Sequence, residues 1–251
     1  MKKLILGLFM AVLPALGLAA SPTVSLDSVD ADHTNKASLQ RGAATYMNYC
    51  AGCHSMEYAR YNRIAEDLGI PEDLFLENLI FTGAKIGELI EVGMDKGQAE
   101  AWFGSAPPDL TLVSRVRGED WLYSYLRAFY KDDSRPLGVN NAVFDNVGMP
   151  HVMVAEQGLC AVPPKIGTTP NVDPLSGNVR GVDICDSWAI EGSMEPAEFN
   201  RAMYDLTNFL SYMGDPIKVE RERLGILVLI FVAIFFVFAY LLNREYWKDV
   251  R

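Results

Sequence analysis

Five consecutive residues early in the chain bring together side chains that bind metals or react as nucleophiles. Cys50-Ala51-Gly52-Cys53-His54 holds two of the four cysteines and one of the three histidines of the protein. Three chemistries use such a cluster. It could bind zinc through thiolates, cycle between a dithiol and a disulfide, or hold a haem through two thioether bonds with the histidine on the iron.

The rest of the sequence favours covalent haem. A tetrahedral zinc site needs a second nearby pair of ligands, whereas Cys160 and Cys185, the other two cysteines, are far apart. A thioredoxin-type dithiol belongs in a βαβ unit, and no βαβ alternation is visible. The spacing C-x-x-C-H is the attachment signature of c-type haem. We therefore predict one haem c, attached at Cys50 and Cys53 and ligated by His54.

An electron-transfer haem needs a second axial ligand, from methionine or histidine. Met149 is the favoured candidate, because Gly148 permits close backbone approach and Pro150 stiffens the loop "FDNVGMPHV". His151 is the second choice. Met47 and Met56 are too close to the motif, and Met203 and Met213 lie on the apolar face of a helix. The other methionines that remain are Met94, Met153 and Met194. Of these, Met153 is expected to be an apolar contact.

The two ends of the chain predict export and a membrane anchor. Residues 1–20 have the basic start, apolar run and small-residue end of a signal peptide. Leu224–Leu242 carries no charge and predicts one transmembrane helix. Export of the body then leaves residues 243–251 in the cytoplasm and the haem domain outside it. The numbers of lysine and arginine residues on the two sides of the span are equal, so the positive-inside rule does not decide the orientation.

Between these ends the pattern predicts a mostly α domain with long loops. Residues 21–37 are polar and predict a loose leader, in which His33 is solvated. The cytochrome domain is expected over residues 38–217, with Ser38 as cap of its first helix. Gly118–Asp132 predicts an amphipathic helix, and the segment from Pro196 to Gly214 predicts another, since its apolar residues recur every three or four positions.

The charge of the chain bears on its partners. The formal net charge is −10, and it becomes more negative once the basic signal peptide is removed. Such a domain repels phosphates, which argues against nucleic acid. An acidic domain attracts a basic partner over a distance. The acidic stretch Glu66–Glu77 is expected to be part of the attracting surface. Solubility alone would account for the same charge.

Cys160 and Cys185 flank an irregular loop rich in proline, glycine and asparagine. In an exported protein two spare cysteines predict a disulfide. Closing a loop of this size contributes roughly 3 kcal/mol to the free energy of unfolding.

The order of the motifs resembles the bacterial members of the cytochrome c1 family. "CAGCH" comes first, "APPDLTLVSRVRGEDWLYSYL" follows, then "VFDNVGMPHV", and one C-terminal anchor ends the chain. The resemblance implies that Met149 is the sixth iron ligand and that Pro107 and Pro108 line the haem. It implies a propionate partner at Arg117, with Arg115 as the alternative. Some bacterial relatives carry an additional disulfide, which Cys160 and Cys185 resemble.

The function implied by this resemblance is electron transfer without catalysis by the subunit alone. The protein would take electrons from a Rieske iron–sulfur protein and pass them to a cytochrome c. It would do so beside cytochrome b, in a dimeric quinol–cytochrome c oxidoreductase. The alternative is a membrane-anchored monohaem cytochrome of a terminal oxidase or nitric-oxide reductase.

Overall fold

A computed structural model describes residues 24–167 and 184–248. Its helices are α1 Lys36–Thr45, α2 Tyr61–Leu68, α3 Glu72–Leu79, α4 Lys96–Phe103, α5 Val113–Arg117, α6 Glu119–Arg127, α7 Val154–Gln157, α8 Pro196–Gly214 and α9 Lys218–Tyr246. Its strands are β1 Met56–Arg60, β2 Leu89–Ile90, β3 Phe129–Lys131, β4 Val139–Asn141, β5 Gly158–Cys160 and β6 Trp188–Glu191. The predicted signal peptide and residues 249–251 lie outside the described residues. The prediction of a mostly α domain with one C-terminal apolar helix is confirmed.

The core forms where α1 crosses α8. Pro196 occupies the first turn of α8 and Gly214 ends it, as the sequence predicts. The predicted cap of α1 was wrong. Asn35 caps this helix by accepting a hydrogen bond from the Ser38 amide, while the Ser38 hydroxyl is buried and donates to Asp205 at 2.6 Å. Ser38 lies inside the first turn of the helix, so its amide is the donor that is capped and its hydroxyl is free to bond Asp205.

Gly42 allows α1 and α8 to approach closely. A Cβ atom at this position would lie 2.0 Å from the Asp205 carbonyl oxygen and 2.6 Å from Phe209 Cβ. Real side chains do not make such contacts, so the two helices can meet at this distance only where one of them carries glycine.

Gly42→Ala is therefore expected to destabilise the protein by about 2 kcal/mol, because overpacking a helix contact outweighs the better helix propensity of alanine. Chemical denaturation of the detergent-solubilised protein measures this change. Gly93→Ala is the matched control, since a Cβ there meets nothing within 4 Å. Equal stability of the two variants would contradict the close approach.

Two small sheets join the helices. β1 pairs with β2, and the second sheet has the order β4-β3-β5-β6. The predicted helix over Gly118–Asp132 is shorter than expected, since α6 ends at Arg127 and Phe129–Lys131 pairs with Val139–Asn141. Strands this short leave little periodicity in a sequence, so only the pairing across the fold reveals them.

The segment before α1 is packed, not loose. Asp27 is buried and pairs with fully buried Arg127 at 3.0 Å, and its amide donates to Ser124. His33 is not solvated either, because its Nε2 lies 2.8 Å from Ser211 Oγ and burial lowers its pKa. A polar leader reads as loose in sequence, but here its polar groups find buried partners.

The predicted disulfide is present. Cys160 and Cys185 are bonded, with their Cα atoms 5.4 Å apart, and they close the loop that contains residues 168–183. Cys160 lies on β5, next to β3 and β6. The bond therefore ties Cys185, which lies shortly before β6, to β5.

α9 contains the predicted span and extends beyond it at both ends. Among the described residues, α9 is the one helix that is long and apolar enough to cross a membrane. None of its apolar stretch is buried. Just before α9, Asp215 accepts ion pairs from Arg115 on α5 and from Arg221 on α9. These contacts connect the start of the apolar helix to the globular domain.

Candidate functional site

The cysteine motif lies on one helical turn that follows an irregular one. The Cys53 and His54 amides both donate to the Cys50 carbonyl, at 3.0 and 2.9 Å. Before the motif, Tyr46–Cys50 forms a π-helical turn, with the Ala51 amide donating to the Tyr46 carbonyl at 2.9 Å. Such turns recur at functional sites. The turn places both sulfurs and the imidazole on a single short loop.

His54 is oriented by a backbone contact. Its Nδ1 lies 2.8 Å from the Pro108 carbonyl oxygen. Because a carbonyl only accepts, Nδ1 carries the proton and Nε2 keeps a free lone pair. Burial lowers the pKa of this histidine, so the ring is neutral at pH 7. A neutral imidazole with one nitrogen hydrogen-bonded is the usual form of a metal ligand.

The thiols do not have the properties of a redox dithiol. Burial raises the pKa of the Cys50 thiol to about 12, with Cys53 as a further cause. Catalytic dithiols instead have a lowered thiol pKa. Both cysteines are unpaired, and no cluster of three or more zinc-type ligands occurs in the part of the chain that the structure describes. Unpaired thiols beside a free imidazole nitrogen fit covalent haem best.

Met149 is half-buried and packs against a small hydrophobic cluster that includes Phe129, Val147 and Leu159. The Tyr125 hydroxyl donates to its sulfur at 3.3 Å. This hydrogen bond fixes the thioether and leaves it further lone-pair density, since sulfur is a weak acceptor.

The segment Phe103–Pro108 touches both candidate ligand regions. Its end contacts His54 through the Pro108 carbonyl. Its start contacts the methionine loop, because a Cβ on Gly148 would lie 2.6 Å from the Phe103 carbonyl oxygen. The two regions, almost a hundred residues apart in sequence, are thus neighbours of the same short segment.

A cavity of about 90 Å³ lies beside the motif, between β1 and α4. Its walls include Cys53, Met94, Ala99 and Pro107. Pro107 therefore lines the same cavity as Cys53, and the adjacent Pro108 supplies the carbonyl that contacts His54.

The alternative ligands are engaged elsewhere. His151 is buried and stacked on Phe129 at 4.7 Å, and its Nε2 lies 3.0 Å from the Gly158 carbonyl. Met153 is 4% exposed inside the main core, as predicted for an apolar contact, and Met194 packs against the same core. Met94 faces the cavity beside Cys53, on the side of the motif itself.

The two arginines have different surroundings. Arg115 pairs with Asp215 at 3.3 Å, at the start of the apolar helix. Arg117 lies over the rings of Trp121 and Phe144, at 5.0 and 5.6 Å from their centres. Trp121 in turn stacks on Tyr125, the partner of Met149. Arg117 is thus connected to the methionine side of the site, and Arg115 to the anchor.

Sequence reasoning missed two tyrosines of the site. Tyr125 donates to Met149, and fully buried Tyr46 donates to the His54 carbonyl at 2.7 Å. The only available signal was the abundance of tyrosine around the motif and in α6. Which tyrosine meets which ligand region depends on contacts across the fold, which no local pattern contains.

The sequence C-x-x-C-H lies on a helical turn, and its histidine is neutral and oriented by a backbone contact. In a mostly α domain that ends in an apolar helix, these features define a c-type cytochrome with a candidate membrane anchor. Sequence comparison identifies the kind of c-type cytochrome. The chain belongs to the cytochrome c1 family, whose profile matches residues 28–81 and 190–250. It is 48% identical to the cytochrome c1 of Allochromatium vinosum over the full length of both chains. It carries the role of that family, a haem electron-transfer subunit of the bc1 complex with one covalently attached haem c.

The chain is also similar to a subunit of another enzyme and to one chain of a solved structure. The chain is 40% identical to the ammonia monooxygenase gamma subunit of Nitrosomonas europaea, over all of this chain and 98% of that protein. Among solved structures, a chain of a hyperthermophilic respiratory Complex III aligns with all of this chain and 98% of its own length. Its TM-score of 0.43 and identity of 17% are too low to bear on function.

Proposed function

We propose that Cys50 and Cys53 hold the haem and that His54 and Met149 ligate its iron. The observation that carries this proposal is the shared segment Phe103–Pro108, which contacts His54 at one end and the loop of Met149 at the other. Two ligands of one iron must lie on opposite faces of the same haem, and this segment brings their two loops together.

Bound haem c takes up and releases one electron at its iron, and the protein makes or breaks no bonds. The chain contributes burial, a docking face and the ligand set that determines the potential. Ligation by methionine and histidine raises that potential. Tyr125 holds Met149 and Pro108 holds His54, although neither residue binds the iron. These contacts keep the positions of the two ligands similar in both redox states.

The electron donor in this proposal is a Rieske iron–sulfur protein, the neighbouring subunit is cytochrome b, and the acceptor is a cytochrome c. The haem domain lies in the periplasm, α9 crosses the inner membrane, and the chain ends in the cytoplasm. The whole complex is a dimer. The cytochrome c1 relatives support the partners, and the exported body with a single later span supports the orientation.

Purification from membranes in mild detergent tests this function. We expect a reducible c-type spectrum, together with cytochrome b and a Rieske protein among the attached subunits. A chain that purified instead with the subunits of a terminal oxidase, a nitric-oxide reductase or an ammonia-oxidising enzyme would overturn the assignment of partners. Protease protection of a C-terminal tag in spheroplasts tests the orientation, and a tag that is cleaved from the periplasmic side would contradict it.

Arg117 is the proposed partner of a haem propionate. Arg117→Gln is expected to lower the midpoint potential by tens of millivolts, since about 59 mV corresponds to a tenfold change in a one-electron equilibrium. The reason is that loss of a nearby positive charge favours the oxidised, more positive iron. Redox titration of the purified complex measures the shift.

Arg115→Gln is the matched control for that titration. Its guanidinium is paired with Asp215, so its loss should leave the potential almost unchanged. A larger shift for Arg115→Gln than for Arg117→Gln would reverse the assignment of the two arginines.

Electron transfer to a basic acceptor is expected to slow as salt rises from about 10 to about 150 mM. The Debye length falls from about 30 to about 8 Å over this range, so the acidic surface attracts the acceptor less. Glu72 and Glu77 are exposed on α3, and replacing both by glutamine should flatten the salt dependence. Glu191→Gln, an exposed change on β6, is the control. Stopped-flow rates that do not vary with salt would contradict electrostatic attraction.

A further inference from the structure

A hydrogen bond joins the cysteine motif to the segment that follows Met149. The Tyr49 hydroxyl donates to Glu156 Oε1 at 2.8 Å. Tyr49 directly precedes Cys50, and Glu156 lies on α7, the first helix after Met149. The contact therefore links residues 107 positions apart in sequence, one on each side of the proposed haem site.

The Glu156 end of this contact is firmly held. The Met194 amide donates to the Glu156 carbonyl at 3.0 Å, and the adjacent Gln157 side chain donates to the Arg127 carbonyl at 2.8 Å. These bonds attach α7 to the segment just before α8 and to the end of α6. Because α7 is bonded to these segments, a hydrogen bond from Tyr49 to Glu156 connects the motif side of the site to the methionine side.

The Tyr49 end is held as well. The π-helical turn that contains Tyr49 is anchored by buried Tyr46 and Met47, and its last residue is the attachment cysteine. Hydrogen bonding to Glu156 raises the pKa of the Tyr49 hydroxyl, so the hydroxyl stays protonated and continues to donate. Tyr49 is exposed, whereas Glu156 is half-buried.

We propose that the Tyr49–Glu156 hydrogen bond is a clasp that keeps Met149 on the iron by holding the two sides of the site together. Tyr49 and Glu156 are positioning residues, because neither contacts the proposed ligand atoms. The inference rests on the proposed function, since it requires Met149 to be a ligand. It adds that two residues which do not bind the iron help to keep Met149 bound to it.

The test measures how readily an external ligand displaces Met149. Imidazole binding to the oxidised, purified complex is followed by absorption, because imidazole gains the iron only when Met149 leaves it. Tyr49→Phe and Glu156→Leu are each expected to strengthen imidazole binding about tenfold, the effect of losing one hydrogen bond to a charged group. Glu156→Gln keeps an acceptor oxygen and should have a smaller effect.

The double variant and a control make the result specific. Tyr49→Phe combined with Glu156→Leu should bind imidazole no more strongly than either single variant, because both remove the same bond. Tyr58→Phe, at an exposed tyrosine on β1, should match the unmodified protein. Single variants without effect, or a double variant whose effects add, would overturn the clasp.

A separate variant distinguishes failure of the clasp from failure of the proposed ligand. Met149→Ala should bind imidazole far more tightly than the unmodified protein. If it does while Tyr49→Phe has no effect, the clasp alone is wrong. If Met149→Ala and the unmodified protein bind imidazole equally, Met149 is not the ligand and both proposals fall.

Discussion

Replacement of Met149 by alanine is expected to lower the midpoint potential of the haem by about 100 mV or more. Axial ligands set haem potentials over a range of about 0.8 V, and methionine lies towards its upper end because it favours reduced iron. Alanine offers no ligand atom, so water or an external base would take the sixth position. Redox titration and the absorption spectrum of the purified complex measure both changes.

Replacement of Tyr125 is expected to change the midpoint potential as well, by a smaller amount. Its hydroxyl donates to the Met149 sulfur at 3.3 Å, which withdraws electron density from the thioether. Tyr125→Phe should therefore alter the potential in the same titration while leaving methionine on the iron.

Met153→Leu is the control for both variants, because Met153 is a buried core residue four positions away. Its spectrum and potential should match those of the unmodified protein. If Met149→Ala also left both unchanged, the sixth ligand would have to be sought elsewhere.

The second large effect is expected at the buried ion pair of Asp27 and Arg127. Asp27→Ala should destabilise the protein by about 3–5 kcal/mol, because it leaves a charged guanidinium buried without its partner. The side chains of both residues are at most 1% exposed, and Arg127 also donates to Asn200 at 2.6 Å. The loss would thus affect the leader, α6 and α8 together. Denaturant unfolding of the detergent-solubilised protein measures it.

An exposed ion pair provides the comparison. Lys165 and Asp186 lie 2.7 Å apart, but their side chains are 65% and 56% exposed. Lys165→Gln should change the free energy of unfolding by less than about 1 kcal/mol, as solvent-exposed pairs do. Similar losses for the two variants would mean that the segment around Asp27 is not an integral part of the core.

Much of the fold could be predicted because its signals are local. The apolar run of α9 and the three-and-four spacing of α8 are each complete within one stretch of sequence. The pairing of Cys160 with Cys185 was predictable for a different reason, since the chain offers no other spare cysteines. The short strands and the early end of α6 were missed, because each depends on pairing with another strand. Ser38 was mistaken for the cap because its hydroxyl has a partner, Asp205, that lies far away in sequence.

The candidate site divides in the same way. Cys50, Cys53 and His54 are adjacent in sequence, and their spacing alone predicts haem attachment, while Met149 emerged from the loop chemistry around it. Both proposals for the site gain their support from contacts that no spacing shows. Pro108 orients His54, Tyr125 holds Met149, and Arg117 lies over Trp121 whereas Arg115 pairs with Asp215.

The sequence by itself determined the cofactor class, the predominance of helix, the candidate anchor and the disulfide, because covalent spacing and hydrophobic periodicity are properties of neighbouring residues. Only the tertiary structure decided that the leader is part of the core, that Tyr46 contacts the His54 carbonyl and that Tyr125 contacts the Met149 sulfur. The physical reason is that a polar or aromatic side chain has no fixed role until the fold gives it a partner. Asp27 is a loop residue in the sequence, and its burial against Arg127 exists only in the folded chain.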